Sequence, residues 1–145
     1  ATDAQAAQMV EQWLFDPERF CVAPGGDFKG NSAACYWGLP SVQASDPAFP
    51  ALGYWRGYVW GPMGMLTYWS LAEYAHVPVV AEAKAALANQ LSKMMMQQWQ
   101  AHGHICENYG PHRDTPECTG TTFYHWGALA GLLSMIEDGY WYPSA

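Results

Sequence analysis

The chain has 145 residues, of which half are hydrophobic and 15% are aromatic, and its formal net charge at neutral pH is −7. The hydrophobic content is typical of a packed globular protein, and the length favours a single domain. The negative charge argues against nucleic acid as a partner, because nucleic-acid binding needs a basic face. No apolar run approaches the roughly 20 residues that a helix needs to span a bilayer, so we expect no membrane span.

Hydrophobic periodicity predicts four helices, over about residues 4–15, 62–76, 78–101 and 123–138. Asp3 is the expected N-cap of the first helix and Thr122 that of the fourth. The first helix should end before Pro17, because the residue that precedes a proline avoids the helical region. No segment shows clear strand alternation. The pattern therefore predicts an all-α fold in which long aromatic-rich loops connect the helices.

The second and fourth predicted helices are apolar all round, whereas the first and third are amphipathic. A helix that is apolar all round is usually buried on every side. Two outer helices cannot cover two such inner helices completely, so a large apolar patch would remain, and such patches mark interfaces. We therefore expect another protein chain, or self-association of this one, to cover the apolar helices.

The four cysteines, at positions 21, 35, 106 and 118, fall into two local pairs. No Cys-x-x-Cys motif is present, which argues against a structural zinc site. Disulfides Cys21–Cys35 and Cys106–Cys118 are the simplest pairing if the protein is exported or lumenal. Four reduced buried thiols are the alternative, and the sequence alone does not choose among the three possible pairings. The histidines are irregularly spaced, so we expect no metal site and no cofactor.

One loop between the third and fourth predicted helices combines a carboxylate with an aromatic neighbour. It runs from His104 to Pro111 and contains Glu107 and Tyr109. Two stretches rich in Trp and Tyr, residues 53–63 and 123–127, lie beside the starts of the second and fourth predicted helices. Aromatic faces stack on the C–H faces of pyranose rings, and a carboxylate can activate water. The composition therefore indicates saccharide chemistry, with a solvated charge among core aromatics as the alternative.

Several short motifs then follow one another in a recognisable order. They are Gly38-Leu39-Pro40-Ser41-Val42, Asp46-Pro47, Gly53-Tyr54-Trp55-Arg56-Gly57, Trp60-Gly61-Pro62-Met63, Glu107-Asn108-Tyr109 and residues 123–128. Over roughly residues 20–140 this order resembles the C-terminal part of the inverting glycoside hydrolases that include the trehalases and the family 63 glucosidases. The resemblance implies an (α/α)6 barrel of helical hairpins, of which residues 1–145 would form one partial domain with about four helices.

The resemblance also implies roles for individual residues. Glu107 matches the general base that activates water, and Trp55 and Arg56 match residues that line the sugar pocket. Further candidates for the pocket wall are Trp60, Tyr109 and Trp126. An inverting enzyme needs such a base and a protonated acid about 6.5–9.5 Å away. An Arg in the pocket would favour the ionised form of the base.

The general acid is the part of this catalytic pair that the sequence does not provide. In the related enzymes it is an Asp upstream of the matched region, and nothing before Gly38 resembles its motif. We therefore expect a segment of a hydrolase for an α-glucoside or a similar saccharide, with the acid outside this chain. A non-catalytic assembly subunit and a carbohydrate-binding module that keeps the Trp–Arg pocket are the alternatives.

Overall fold

A computed structural model describes residues 1–22, 37–112 and 117–140. The elements in chain order are α1 (Asp3–Met9, continued by a π-helical segment Val10–Leu14), a 3-10 turn (Phe49–Ala51), α2 (Gly61–Ala72), α3 (Pro78–His102), β1 (Cys106–Tyr109), β2 (Cys118–Thr122) and α4 (His125–Glu137). Helices α2, α3 and α4 pack on one another, the first segment packs on α3, and β1 packs on α4.

The prediction of an all-α fold, and with it a barrel built from helical hairpins, is wrong. Strands β1 and β2 pair antiparallel, so the described chain is a mixed α/β structure. The strands were missed because they have only four and five residues and neither alternates. Three of the four β1 residues are buried, whereas β2 is mostly exposed. Alternation between the two faces is the signal that reveals a strand in a sequence, and it is absent here.

All four predicted helices are present, but two of their starts differ from the prediction. The first helix is capped by Thr2 and not by Asp3, because Thr2 and Gln5 form a reciprocal capping box. The fourth helix begins three residues after Thr122, which belongs to β2. The loop between them turns through Phe123, whose φ of 56° lies in the left-handed region.

The core lies between the three long helices and is formed by fully buried aliphatic side chains. Leu71 of α2, Leu91 of α3 and Leu133 of α4 are among them. Close packing of α2 on α3 requires a residue without a side chain at Gly64. A Cβ at that position would lie 2.5 Å from Cδ1 of Leu91, which accounts for the glycine there.

A hydrogen-bonded triad joins the same three helices. Tyr68 of α2 donates to Oε2 of Glu137 on α4, and Nζ of Lys84 on α3 lies 2.8 Å from the same oxygen. Burial would raise the pKa of Glu137, but the hydrogen bonds from Lys84 and Tyr68 outweigh burial and lower it. Burial and the bond to Glu137 both raise the pKa of Tyr68. The triad therefore favours an ionised Glu137 and a neutral Tyr68.

Helices α2 and α4 are covered only in part by this chain. Met63, Leu66 and Trp69 of α2 and Met135 of α4 are exposed. The chain by itself therefore leaves apolar surface on these two helices, as expected, and the partner that would cover this surface stays a prediction. None of the described helices is long and apolar enough to cross a membrane.

Replacing Glu137 by Gln should lower the free energy of unfolding by about 1–2 kcal/mol at neutral pH, because the negative charge that strengthens both hydrogen bonds is lost. Urea denaturation measures the change. Glu82→Gln on an exposed part of α3 is the matched control. An equal loss in both variants would contradict the stabilising role of the triad.

The stabilisation by Glu137 should also depend on pH. Because the native pKa of Glu137 is lowered, its stabilisation is present above the ordinary value of 4.5 and is lost as the pH falls through the native pKa. The difference in stability between the wild type and Glu137→Gln should therefore shrink in acid.

Candidate functional site

Glu107 lies at an irregular point in the β1–β2 pairing. Cys106 pairs with Thr122, but Asn108 pairs with Thr119, so the register shifts around Glu107. Such bulges redirect a side chain. The backbone N–H of Thr121 crosses this gap and donates to Oε2 of Glu107 at 3.1 Å. The hairpin therefore both presents the carboxylate and holds one of its oxygens.

Gly120 makes room for this carboxylate. Its φ of 74° lies in the left-handed region, which favours glycine. A side chain at this position would place its Cβ 2.5 Å from Oε2 of Glu107 and 2.7 Å from the Cβ of Glu107. Only glycine satisfies both requirements without moving Glu107.

Tyr54 holds the second oxygen of the carboxylate. Its hydroxyl donates to Oε1 of Glu107 at 2.7 Å. This hydrogen bond is the main cause of the raised pKa of Tyr54, with desolvation and the charge of Glu107 adding to it. The backbone of Tyr54 has a φ of 41°, which is unusual for a residue with a side chain. A tight turn supports this conformation, since the N–H of Arg56 donates to the carbonyl of Gly53 at 2.7 Å.

A cluster of aromatic rings, which we call the aromatic wall, adjoins the Tyr54–Glu107 pair. Trp55 and Trp60 stack in parallel, with ring centroids 3.8 Å apart and planes 10° apart. Tyr54 and Trp126 meet Trp60 edge to face at 4.8 and 6.0 Å. The indole N–H of Trp60 donates to the carbonyl of Tyr54 at 3.2 Å. Trp60 is fully buried, whereas Trp55 is 44% exposed, so Trp55 offers the accessible surface of the stack.

Tyr109 is the last residue of β1. It is fully buried, its hydroxyl donates to the carbonyl of Gly127, and it accepts the N–H of Cys106, both at 3.4 Å. Burial raises the pKa of Tyr109. Its backbone also pairs in both directions with that of Val59, at 2.8 and 3.0 Å. Tyr109 therefore connects β1 with α4 and with the segment that precedes α2.

Arg56 is exposed and does not pair with Glu107 in the described structure. Its Nε–H is directed at the carbonyl of Gly53 at 3.5 Å, and the missing side chain of Gly53 leaves room for the guanidinium. The ion pairs among the described residues are Arg19–Asp16 and Lys84–Glu137, and Nε2 of His76 lies 3.0 Å from a carboxylate oxygen of Asp3. The carboxylate of Glu107 is therefore held by neutral donors, Tyr54 and Thr121.

The disulfide predicted for Cys106 and Cys118 is present, with Cα atoms 5.5 Å apart. It links β1 to β2 near the contact between Glu107 and Thr121. Cys106 directly precedes Glu107, and Cys118 lies three residues before Thr121. The other predicted bridge involves Cys35, which lies outside the described residues.

Tyr54, Gly120 and Thr121 were not predicted as partners of Glu107. Tyr54 stands next to Trp55 in a motif already noted, and this adjacency was the only available signal. The other two contacts depend on the hairpin, which the sequence pattern did not show. The ring of His104 lies beside the two sulfurs of the disulfide, a contact that the sequence pattern did not predict.

A carboxylate held beside an exposed, stacked indole is typical of proteins that act on or bind saccharides. Comparison with known protein families also indicates a protein that acts on saccharides. The family described as "Mannosylglycerate hydrolase MGH1-like glycoside hydrolase domain" matches residues 1–127. The chain therefore belongs to this family of glycoside hydrolase domains, which confirms the relationship that the motifs predicted. No curated protein matches the chain.

Replacing Gly120 by Ala should lower the free energy of unfolding by at least about 2 kcal/mol, because left-handed strain and a clash with Glu107 add together. Gly103→Ala is the matched control. Its φ is 70°, but no atom lies within 4 Å of the added Cβ, so only the strain of about 1 kcal/mol applies. Chemical denaturation of both variants measures the difference. Equal losses would show that the space beside Glu107 does not need a glycine.

Proposed function

We propose that this chain is the segment of an inverting glycoside hydrolase that supplies the general base, Glu107, and that the general acid comes from outside these 145 residues. Membership of a glycoside hydrolase family supports the reaction class. The hydrogen bond from Tyr54 to Glu107 is the single observation that carries the assignment of the base, because it places a carboxylate directly beside the aromatic wall.

The geometry of Glu107 suits a general base. Tyr54 occupies one acceptor site on Oε1 and the N–H of Thr121 occupies one on Oε2. A carboxylate has about four such sites, so each oxygen keeps capacity to accept a hydrogen bond from water. In the proposed step this water attacks the anomeric carbon and gives its proton to Glu107. The acid protonates the departing glycosidic oxygen at the same time, and the anomeric configuration inverts.

The aromatic wall would position the sugar ring. Trp55 is its accessible face, and Arg56 is exposed beside it with several N–H donors for sugar hydroxyls. Trp60 is buried and would support Trp55 by stacking, whereas Tyr109 is buried and would support the strand that carries Glu107. Trp126 is half-buried and would close the wall on the side of α4.

The proposed substrate is an α-glucoside or a similar small saccharide. The family description names mannosylglycerate hydrolase, so mannosylglycerate belongs in the panel of substrates. Glucosylglycerate and trehalose complete the panel. Proton NMR of the first product reports whether the anomeric configuration inverts.

Replacing Glu107 by Gln should lower turnover by about 10²–10⁴-fold, because base catalysis needs the carboxylate. Turnover is measured in a preparation that contains this chain and hydrolyses a substrate of this panel. Glu117→Gln is the matched control. Glu117 adjoins the same hairpin and accepts a hydrogen bond from Tyr58 at 3.2 Å, as Glu107 does from Tyr54. Circular dichroism checks the fold of both. Unchanged turnover in Glu107→Gln would remove Glu107 from the mechanism.

Replacing Trp55 by Ala should weaken saccharide binding about tenfold, which corresponds to roughly 1.4 kcal/mol. Isothermal titration calorimetry with the best ligand of the panel measures the affinity. Trp69→Ala on α2 is the matched control, because Trp69 is a similarly exposed tryptophan, at 52% against 44%, on another element. Equal weakening by both changes would contradict a specific role of Trp55.

A non-catalytic subunit or binding module is the second candidate function. Its support is the apolar surface that this chain leaves exposed. A groove of about 660 Å³ lies between α3 and α4 and does not include Glu107 or Trp55; its apolar lining includes Met96, Trp99, Ile105, Leu132 and Met135. Saccharide binding that Trp55→Ala weakens, without turnover in any preparation, would favour this candidate. The native mass of the purified sample, together with the intact mass of each polypeptide in it, distinguishes a subunit from a single chain.

A further inference from the structure

His104 lies beside both sulfurs of the Cys106–Cys118 disulfide. Its Nδ1 is 3.5 Å from Sγ of Cys106 and 3.8 Å from Sγ of Cys118. All three ligand atoms lie within 4.8 Å of one another. Cys106 is buried, and the other two residues are half-buried. Three groups that bind soft metal ions are therefore gathered at one edge of the hairpin.

The distances from His104 already fit a tetrahedral metal site. Zinc binds cysteine sulfur at about 2.3 Å and histidine nitrogen at about 2.0–2.1 Å, which places nitrogen and sulfur roughly 3.5 Å apart across a tetrahedron. The nitrogen of His104 lies near this distance from each sulfur. Only the two sulfurs would have to separate, and the Cα atoms of their residues are 5.5 Å apart in paired strands.

We propose that reduction of the Cys106–Cys118 disulfide converts this cluster into a Cys2His site for a soft divalent cation such as Zn²⁺. Cys106, Cys118 and His104 are the protein ligands, and water takes the fourth position. The proposal is independent of the hydrolase function proposed above.

The chemistry of the switch balances in two steps. A dithiol reductant transfers two electrons and two protons to the disulfide, which gives two protein thiols and an oxidised, disulfide form of the reductant. The cation then binds both sulfurs as thiolates, so the two thiols release two protons to solvent. His104 binds through Nδ1 of its neutral ring with the proton on Nε2, so Nδ1 gives up its 3.4 Å contact with the carbonyl of Ile105.

The switch would act on the hairpin that carries Glu107. Cys106 precedes Glu107 in β1, and Cys118 lies three residues before Thr121, the donor to Oε2 of Glu107. Either the disulfide or the cation links the two strands. A reduced, metal-free hairpin has neither link and would hold Glu107 less firmly.

The test uses Co²⁺ as a spectroscopic probe of the whole chain. The protein is folded in its oxidised form, reduced with a dithiol, freed of reductant without air, and titrated with Co²⁺. One equivalent should bind to the reduced chain and produce a thiolate-to-cobalt charge-transfer band. The oxidised chain should show no such band. A reduced chain without the band would overturn the proposal.

Variants identify the ligands. Cys118→Ser should abolish the band, whereas Cys21→Ser should retain it. His104→Ala keeps both cysteines, so it can fold with its disulfide before reduction, and it should bind Co²⁺ at least about tenfold more weakly. His102→Ala is the matched control, because its ring stacks near that of His104 at 5.8 Å, and it should bind as the wild type does. Wild-type affinity in His104→Ala, or equal losses in both histidine variants, would refute the ligand set.

Discussion

The position of Glu107 depends on the backbone pairing of β1 at both of its edges. Strand β2 pairs with one edge, and Val59 pairs with the other through its two hydrogen bonds to Tyr109. Close contact with α4 fixes the same strand from the side, because a Cβ at Gly127 would collide with the carbonyl of Cys106. A four-residue strand has little stability of its own. These surrounding contacts allow it to carry a carboxylate in a defined direction.

The aromatic residues divide into two groups that the sequence could not separate. Trp55 and Trp60 stand five residues apart in one aromatic stretch, yet one is exposed and the other is completely buried. Their stacking explains the difference, since the inner indole supports the outer one and donates its N–H to the backbone of Tyr54. A saccharide could contact only the outer member. Mutation of the inner one would affect binding through the position of its neighbours.

The helices could be predicted because apolar periodicity and proline positions act locally, as at Pro17 and Pro62. Glu107 and Trp55 were also predicted as site residues, since their neighbours in the chain resemble family motifs, and this assignment stays a prediction. The strands, the hydrogen bond from Tyr54 and the space at Gly120 could not be found, because each depends on contact between segments distant in sequence. The capping role of Thr2 was missed for a smaller reason, since the adjacent Asp3 is the better cap by residue type.

The triad of Tyr68, Lys84 and Glu137 has a consequence for how the molecule opens. Each of the three long helices contributes one member, and a single carboxylate oxygen accepts from both partners. Detachment of any one helix breaks at least one of these bonds and exposes groups that were partly buried. The three helices should therefore open as one cooperative unit, with slow amide exchange spread over all three.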